Sequence, residues 1–211
     1  IDKSPNLNRI AEDYKESYLG KKDDLISEIN LLIGNEVKKR GSFSGVHFNQ
    51  ASNSEIPDLP DTRLVIISGE YSHKRGDDNS DATKWARECL KNKGNSPRQY
   101  LNSIIFLAPD EKNLGNLVNA LADKKAWEKV IEERLLLNLT VNQENQANKR
   151  IGSASNTISI RISETWSHLI IPYQSEPSAT DPFFEYKSLS GTKGSLAERA
   201  SEKCIQEDFI F

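Results

Sequence analysis

The chain has 211 residues, 36% hydrophobic and 28% charged, which suits one folded α/β domain with a full core better than a disordered tail or a pair of very small domains. Its 28 basic and 31 acidic side chains leave a formal charge of -3, so no global field draws it to nucleic acid and any such contact rests on a local patch. No run approaches the roughly 18 apolar residues a bilayer crossing needs, so no membrane partner is expected.

Cys89 and Cys204 are too few and too widely separated for a disulfide framework or a cysteine-rich metal site. They read as ordinary buried thiols, which fits a reducing, cytoplasmic location. The chain opens on Ile1 and contains no methionine, which predicts an excised piece of a longer polypeptide whose function depends on parts beyond it.

In chain order, residues 1–40 form an N-terminal helical segment broken near Gly20, in which Leu25, Ile29, Leu32 and Ile33 recur at helical spacing and need a packing partner. An α/β core over 45–211 follows. "GVHFNQ" at 45–50 is a short strand candidate, and after two prolines "RLVIISG" at 63–69 is a stronger one. Its unbroken apolar run favours a strand covered on both faces, as in a parallel sheet. A polar loop becomes helical at about Asp81, with Ala82, Trp85, Ala86, Cys89 and Leu90 as its packing face. "SIIFLAP" at 103–109 repeats the buried-strand pattern, and Asp110 is placed to cap the next helix through its carboxylate. That helix carries Leu114, Leu117, Val118, Leu121 and Trp127 and is expected to continue, interrupted, to Leu137. A long, mostly exposed helix with Ile151, Ala154, Ile158 and Ile162 on one stripe comes next. "HLIIPYQ" at 168–174 is a third strong strand, "FFEYKSLSG" a fourth or an edge strand, and a last helix spans about 195–207. The order predicts a single three-layer α/β domain with a mostly parallel sheet and flanking helices.

Motifs for self-sufficient chemistry are missing. There is no G-x-x-x-x-G-K-[ST] and no G-x-G-x-x-G, and "GTKGS" at 191–195 has phosphate-loop composition without the spacing. A hydrolase built from Ser68, His73 and Asp77 or Asp78 lacks the nucleophile elbow. His47, His73 and His168 show no metal-ligand spacing and read as isolated residues, two of them strand histidines. Glu70, Asp77, Asp78 and Asp110 lie beyond two strand ends, the least implausible basis for a two-metal nuclease. No catalytic, cofactor-binding or metal residue is therefore assigned. His73, Lys74 and Arg75 are candidate nucleic-acid contacts. Arg98, held by Pro97 just before a strand, is a candidate interdomain or subunit contact, because a guanidinium fork pairs well with a carboxylate.

Five ordered blocks carry a resemblance: "SPNLNRI", "IPDLPDTRLVIISGEYSH", "NSPRQYLNSIIFLAPDEKNLGNL", "ISETWSHLIIPYQ" and "LAERASEKC". Together they resemble the region downstream of the ATPase core in domain-of-unknown-function family 499 (DUF499), large AAA-type P-loop proteins akin to the PglY and BrxC components of BREX anti-phage systems. The family pattern falls on Asn6, Asn8, Arg63, Pro97, Arg98, Asn102, Phe106, Leu107, Ala108, Asp110, Pro172, Gln174, Arg199 and Ala200. Ser68 and Gly69 stand where a proline-containing stretch is more usual. The resemblance implies a non-catalytic accessory or assembly module of a phage-defence ATPase. ATP and magnesium are then implied only for the parent protein, since the Walker motifs lie in an N-terminal portion. Expected partners are other domains of that protein, further copies or defence-system components. A nucleic-acid-binding module, with DNA as a candidate partner, is the alternative, and a metal-dependent nuclease comes behind it.

Overall fold

Two apolar patterns, unbroken runs and three-to-four spacing, become a sheet and the helices that cover it. The computed structural model describes residues 6–50, 52–176 and 178–209. Ile1, the Ser4-Pro5 start of the first family-like block, and Pro177 lie outside them. The elements are α1 (Leu7–Leu19), α2 (Lys22–Glu36), β1 (Gly45–Phe48), β2 (Arg63–Ile66), α3 (Asp81–Lys91), the two-residue strands β3 (Asn92–Lys93) and β4 (Ser96–Pro97), β5 (Ile104–Pro109), α4 (Glu111–Glu132), α5 (Val141–Thr165), β6 (Trp166–Tyr173), β7 (Phe183–Ser188) and α6 (Leu196–Gln206).

The main sheet has the order β1-β2-β5-β6-β7, with β3 and β4 forming a small ribbon apart. β1, β2 and β5 pair in parallel, whereas β6 is antiparallel to both β5 and β7. Four strands therefore point one way and only β6 is reversed, an α/β fold with a mostly parallel sheet. The reversal follows from the connection. α4 and α5 form an antiparallel pair that brings the chain back to the end where β5 finished, and α5 runs directly into Trp166. A strand starting there must descend.

Alternation along the strands divides the core in two. Leu64, Ile66, Ile105, Leu107, Leu169 and Ile171 face α2, α4, α5 and α6. Val65, Ile67, Ile104, Phe106 and Ile170 face α3, which buries Ala82, Ala86, Cys89 and Leu90 against them. α3 holds this position from a capped start, because Ser80 Oγ accepts the Thr83 amide at 3.2 Å. Across the sheet, Trp166 is fully buried and its Nε1 donates to Ile67 O at 2.8 Å, fastening the start of β6 to the end of β2.

The helix pair is longer than the sheet is tall. At 1.5 Å per residue the 22-residue α4 spans about 33 Å and the 25-residue α5 about 37 Å, while the six-residue β5 spans about 20 Å. The overhanging halves build a core of their own, in which Leu7 and Ala11 of α1 pack on Trp127, Val130 and Ala147. Tyr14 donates to the Glu133 carboxylate beside this cluster, securing α1 to the end of α4. The result is a three-helix arm, with Leu137 and Leu139 turned toward its core and Leu135 (82% exposed), Leu136 (77%) and Val141 (74%) left in solvent at its tip.

Candidate functional site

The carboxyl ends of parallel strands are where α/β folds place ligands, and here that rim gathers His73, Asp110, His168, Ser80, Thr83 and Tyr186. The chain after β2 comes back to pair with the end of β5: His73 N donates to Pro109 O at 2.8 Å, and Glu111 N donates to His73 O at 3.1 Å. His73 is only 1% exposed, its Nδ1 lies 2.8 Å from Ser80 Oγ, and its ring stacks on Tyr186 at 5.1 Å between centroids. Ser80 Oγ also meets Thr83 Oγ1 at 2.9 Å, and Thr83 Oγ1 lies 3.4 Å from the Tyr186 hydroxyl. His168, on β6, sets its ring edge-on to His73 at 4.9 Å and places Nε2 3.0 Å from Asp110 Oδ2.

Electrostatics keep this cluster in a defined state. Burial, reinforced by His168, holds His73 below the usual imidazole value, so the neutral ring is favoured. Burial acts to raise the Asp110 carboxyl, but His168 and the Asn113 and Lys112 amides outweigh it and hold the group below the usual carboxylate range. Burial pushes the Tyr186 phenol up. These parts resemble those of an acyl-transfer triad but are divided between two rings: the carboxylate bears on His168 and the serine on His73. A triad needs acid, imidazole and hydroxyl in one line. Ser80 is moreover buried and committed to capping α3, so the cluster's demonstrable action is to lock the rim.

The residues singled out in the sequence are dispersed by the fold. Ser68 accepts from Asn30 Nδ2 at 2.8 Å, and Asn30 Oδ1 in turn accepts the Gly69 amide at 2.9 Å, tying the β2 exit to α2. Asp77, Asp78 and Asp110 all bear on His73 electrostatically. Among the described residues no group of three or more His, Cys, Asp and Glu side chains is arranged to hold a metal ion. Of the three nucleic-acid candidates, His73 is corrected to an interior residue, while Lys74 and Arg75 are exposed. Lys74 borders a cavity of about 360 Å³ that also contains Asp77, Asp81 and Glu111, carboxylates that offset its charge. The reading of His73 and His168 as isolated is likewise overturned, since their rings touch. His47, half-buried on β1, lies 3.4 Å from Arg63 Nη1 and is held below the usual imidazole value by burial and then by Arg63.

Arg98, the candidate for an interdomain or subunit contact, is 5% exposed and turns inward. Its Nε donates to Cys89 O at 2.6 Å, Nη1 to Pro57 O at 3.0 Å, and Nη2 to Asn53 O at 2.9 Å and Ile56 O at 3.2 Å. Its partners are backbone carbonyls of the same chain rather than a carboxylate. The guanidinium gathers the 53–57 crossover, the end of α3 and the β3-β4 ribbon into one unit. Both thiols are buried, and burial pushes each up to about 11, so neither is set up as a nucleophile.

The chain matches no family model, no curated protein and no solved structure. No helix among the described residues is long and apolar enough to cross a membrane.

Proposed function

We propose that the chain is an accessory assembly module of a larger P-loop ATPase, in phage defence as the DUF499 resemblance implies, and that it docks through its three-helix arm. The observation that carries this reading is the tip of the arm. Leu135 and Leu136, in the turn that joins α4 to α5, and Val141, at the start of α5, stand exposed at the end of a helix pair that has its own core behind them, so the apolar surface is presented on a firm support. Exposed apolar residues clustered on a built projection are the usual mark of a contact surface. ATP and magnesium act in the Walker-bearing part of the parent, and this module supplies rigid geometry. Its inward-facing Arg98 and locked rim suit that part.

The test is the double substitution Leu135→Asp and Leu136→Asp in the full-length polypeptide. Both positions are solvent-exposed, so the isolated chain keeps its unfolding free energy to within about 0.5 kcal/mol. Assembly, measured by mass photometry, and ATP turnover are both expected to fall. Unchanged assembly and turnover would sink the proposal.

A further inference from the structure

We infer that the cavity between the 189–193 loop and α6 is a binding site for a phosphate-bearing small molecule, with Arg199 as its anchor. The cavity has a volume of about 420 Å³ and is bordered by Gly191, Thr192, Lys193, Arg199, Glu202 and Lys203, among others. Arg199 is 6% exposed, yet no carboxylate is paired with it among the described residues. Its Nη1 donates to Ser163 O at 2.9 Å, near the end of α5, while its buried Nε has no hydrogen-bond partner. Burial holds its pKa below the usual guanidinium value.

A guanidinium carries five N–H donors in a rigid fork, and holding it this far from water with few of them filled is costly unless an anion meets the part of Arg199 that borders the cavity, since Nε itself is walled off. The surroundings favour an anion. Three cationic side chains, Lys193, Arg199 and Lys203, face one lining carboxylate, Glu202. Lys203 is engaged by Glu207 at 2.6 Å and Glu207 also binds Lys187 at 3.0 Å, which leaves the exposed Lys193 as the lining lysine with no carboxylate partner among the described residues. No backbone amide from 190 to 194 donates to another backbone group among the described residues. Such amides serve a phosphoryl group beside an arginine fork. This assigns a role to "GTKGS" different from a P-loop, because the anchor comes from within α6 and the motif supplies the wall.

The experiment titrates the 211-residue chain with inorganic phosphate, pyrophosphate and ADP in turn, against chloride at matched ionic strength, following backbone amides by two-dimensional NMR. Saturable shifts at Gly191 to Gly194 are expected with at least one probe, and the tightest of the three distinguishes a free anion from the tail of a nucleotide. Lys193 is exposed, so Lys193→Ala keeps the fold and is expected to weaken binding about tenfold. Arg199→Gln is expected to abolish binding, and where that variant does not fold, Lys193→Ala decides alone. The absence of a saturable shift with all three probes, or an affinity unchanged in Lys193→Ala, would overturn the assignment.

Discussion

Asp110 and His168 join three elements through one carboxylate: Oδ2 lies 3.0 Å from His168 Nε2 on β6, while Oδ1 accepts the Asn113 amide at 2.9 Å and caps α4 at the end of β5. The antiparallel β5-β6 pair is thereby closed at the rim, beside the buried His73.

Acid should loosen this rim. The folded value of Asp110 is depressed, so its contribution is present above its unfolded value near 3.9 and is lost as pH falls through the folded value. His73 is depressed too. Below its unfolded value near 6.5 the unfolded chain takes up a proton that the folded form resists, so stability declines as pH drops. His47 acts in the same direction. Urea unfolding is expected to give a free energy that falls as the pH drops below about 6.5, with a shallower slope in His73→Gln. Asp110→Asn, which retains a capping oxygen, should cost about 1 kcal/mol at neutral pH by weakening the His168 contact. A wild-type protein that grows more stable on acidification through this window would contradict the assignment.

Arg98 is expected to be a stability residue. Arg98→Ala removes the guanidinium donor from four carbonyls, Cys89 O and Ile56 O among them buried, and should cost about 2 to 4 kcal/mol in denaturant unfolding. Arg98→Lys should restore little of it, because one ammonium cannot reach both Cys89 O and the 53–57 turn in the geometry of the fork. A loss below about 0.5 kcal/mol for the alanine variant would show that these bonds contribute nothing net.

Two glycines should respond oppositely to alanine. Gly41 has φ +59°, and a Cβ there would approach Ser201 Cβ to 2.6 Å, where Ser201 Oγ accepts the Ser42 amide. Gly41→Ala should destabilise by more than about 1 kcal/mol. Gly115 lies inside α4 with open space around its missing Cβ, and Gly115→Ala should stabilise by roughly 0.5 to 1 kcal/mol. Thermal melts of both variants check the pair, and equal signs would contradict the local geometry.

Much of the frame is legible in the chain. The runs at 63–69, 103–109 and 168–174 became β2, β5 and β6 because continuous apolar residues must be covered on both faces, and the stripe on α3 marked its buried side. "FFEYKSLSG" lies at the sheet edge as β7, its mixed exposure matching its polar alternation. The site was less legible for two physical reasons. His73 and His168 meet only because β5 lies between β2 and β6 and the chain after β2 doubles back, a long-range consequence that no local spacing encodes. Arg98 drew attention as a charge seeking a charge, but its partners are main-chain carbonyls, which every residue possesses and no sequence pattern marks. The three-helix arm was half visible: both helices of the pair were evident, whereas their excess length over the strands required the sheet itself.

Docking through the arm is tested most directly by placing a photo-crosslinking amino acid at Leu136 of the full-length polypeptide, with Leu31 on α2, also exposed, as the control position. Irradiation followed by peptide mass spectrometry is expected to join position 136 to one defined segment of a neighbouring domain or subunit, with the control position giving no such product. Crosslinks from position 136 that are absent, or as diffuse as those from position 31, would contradict docking through the arm.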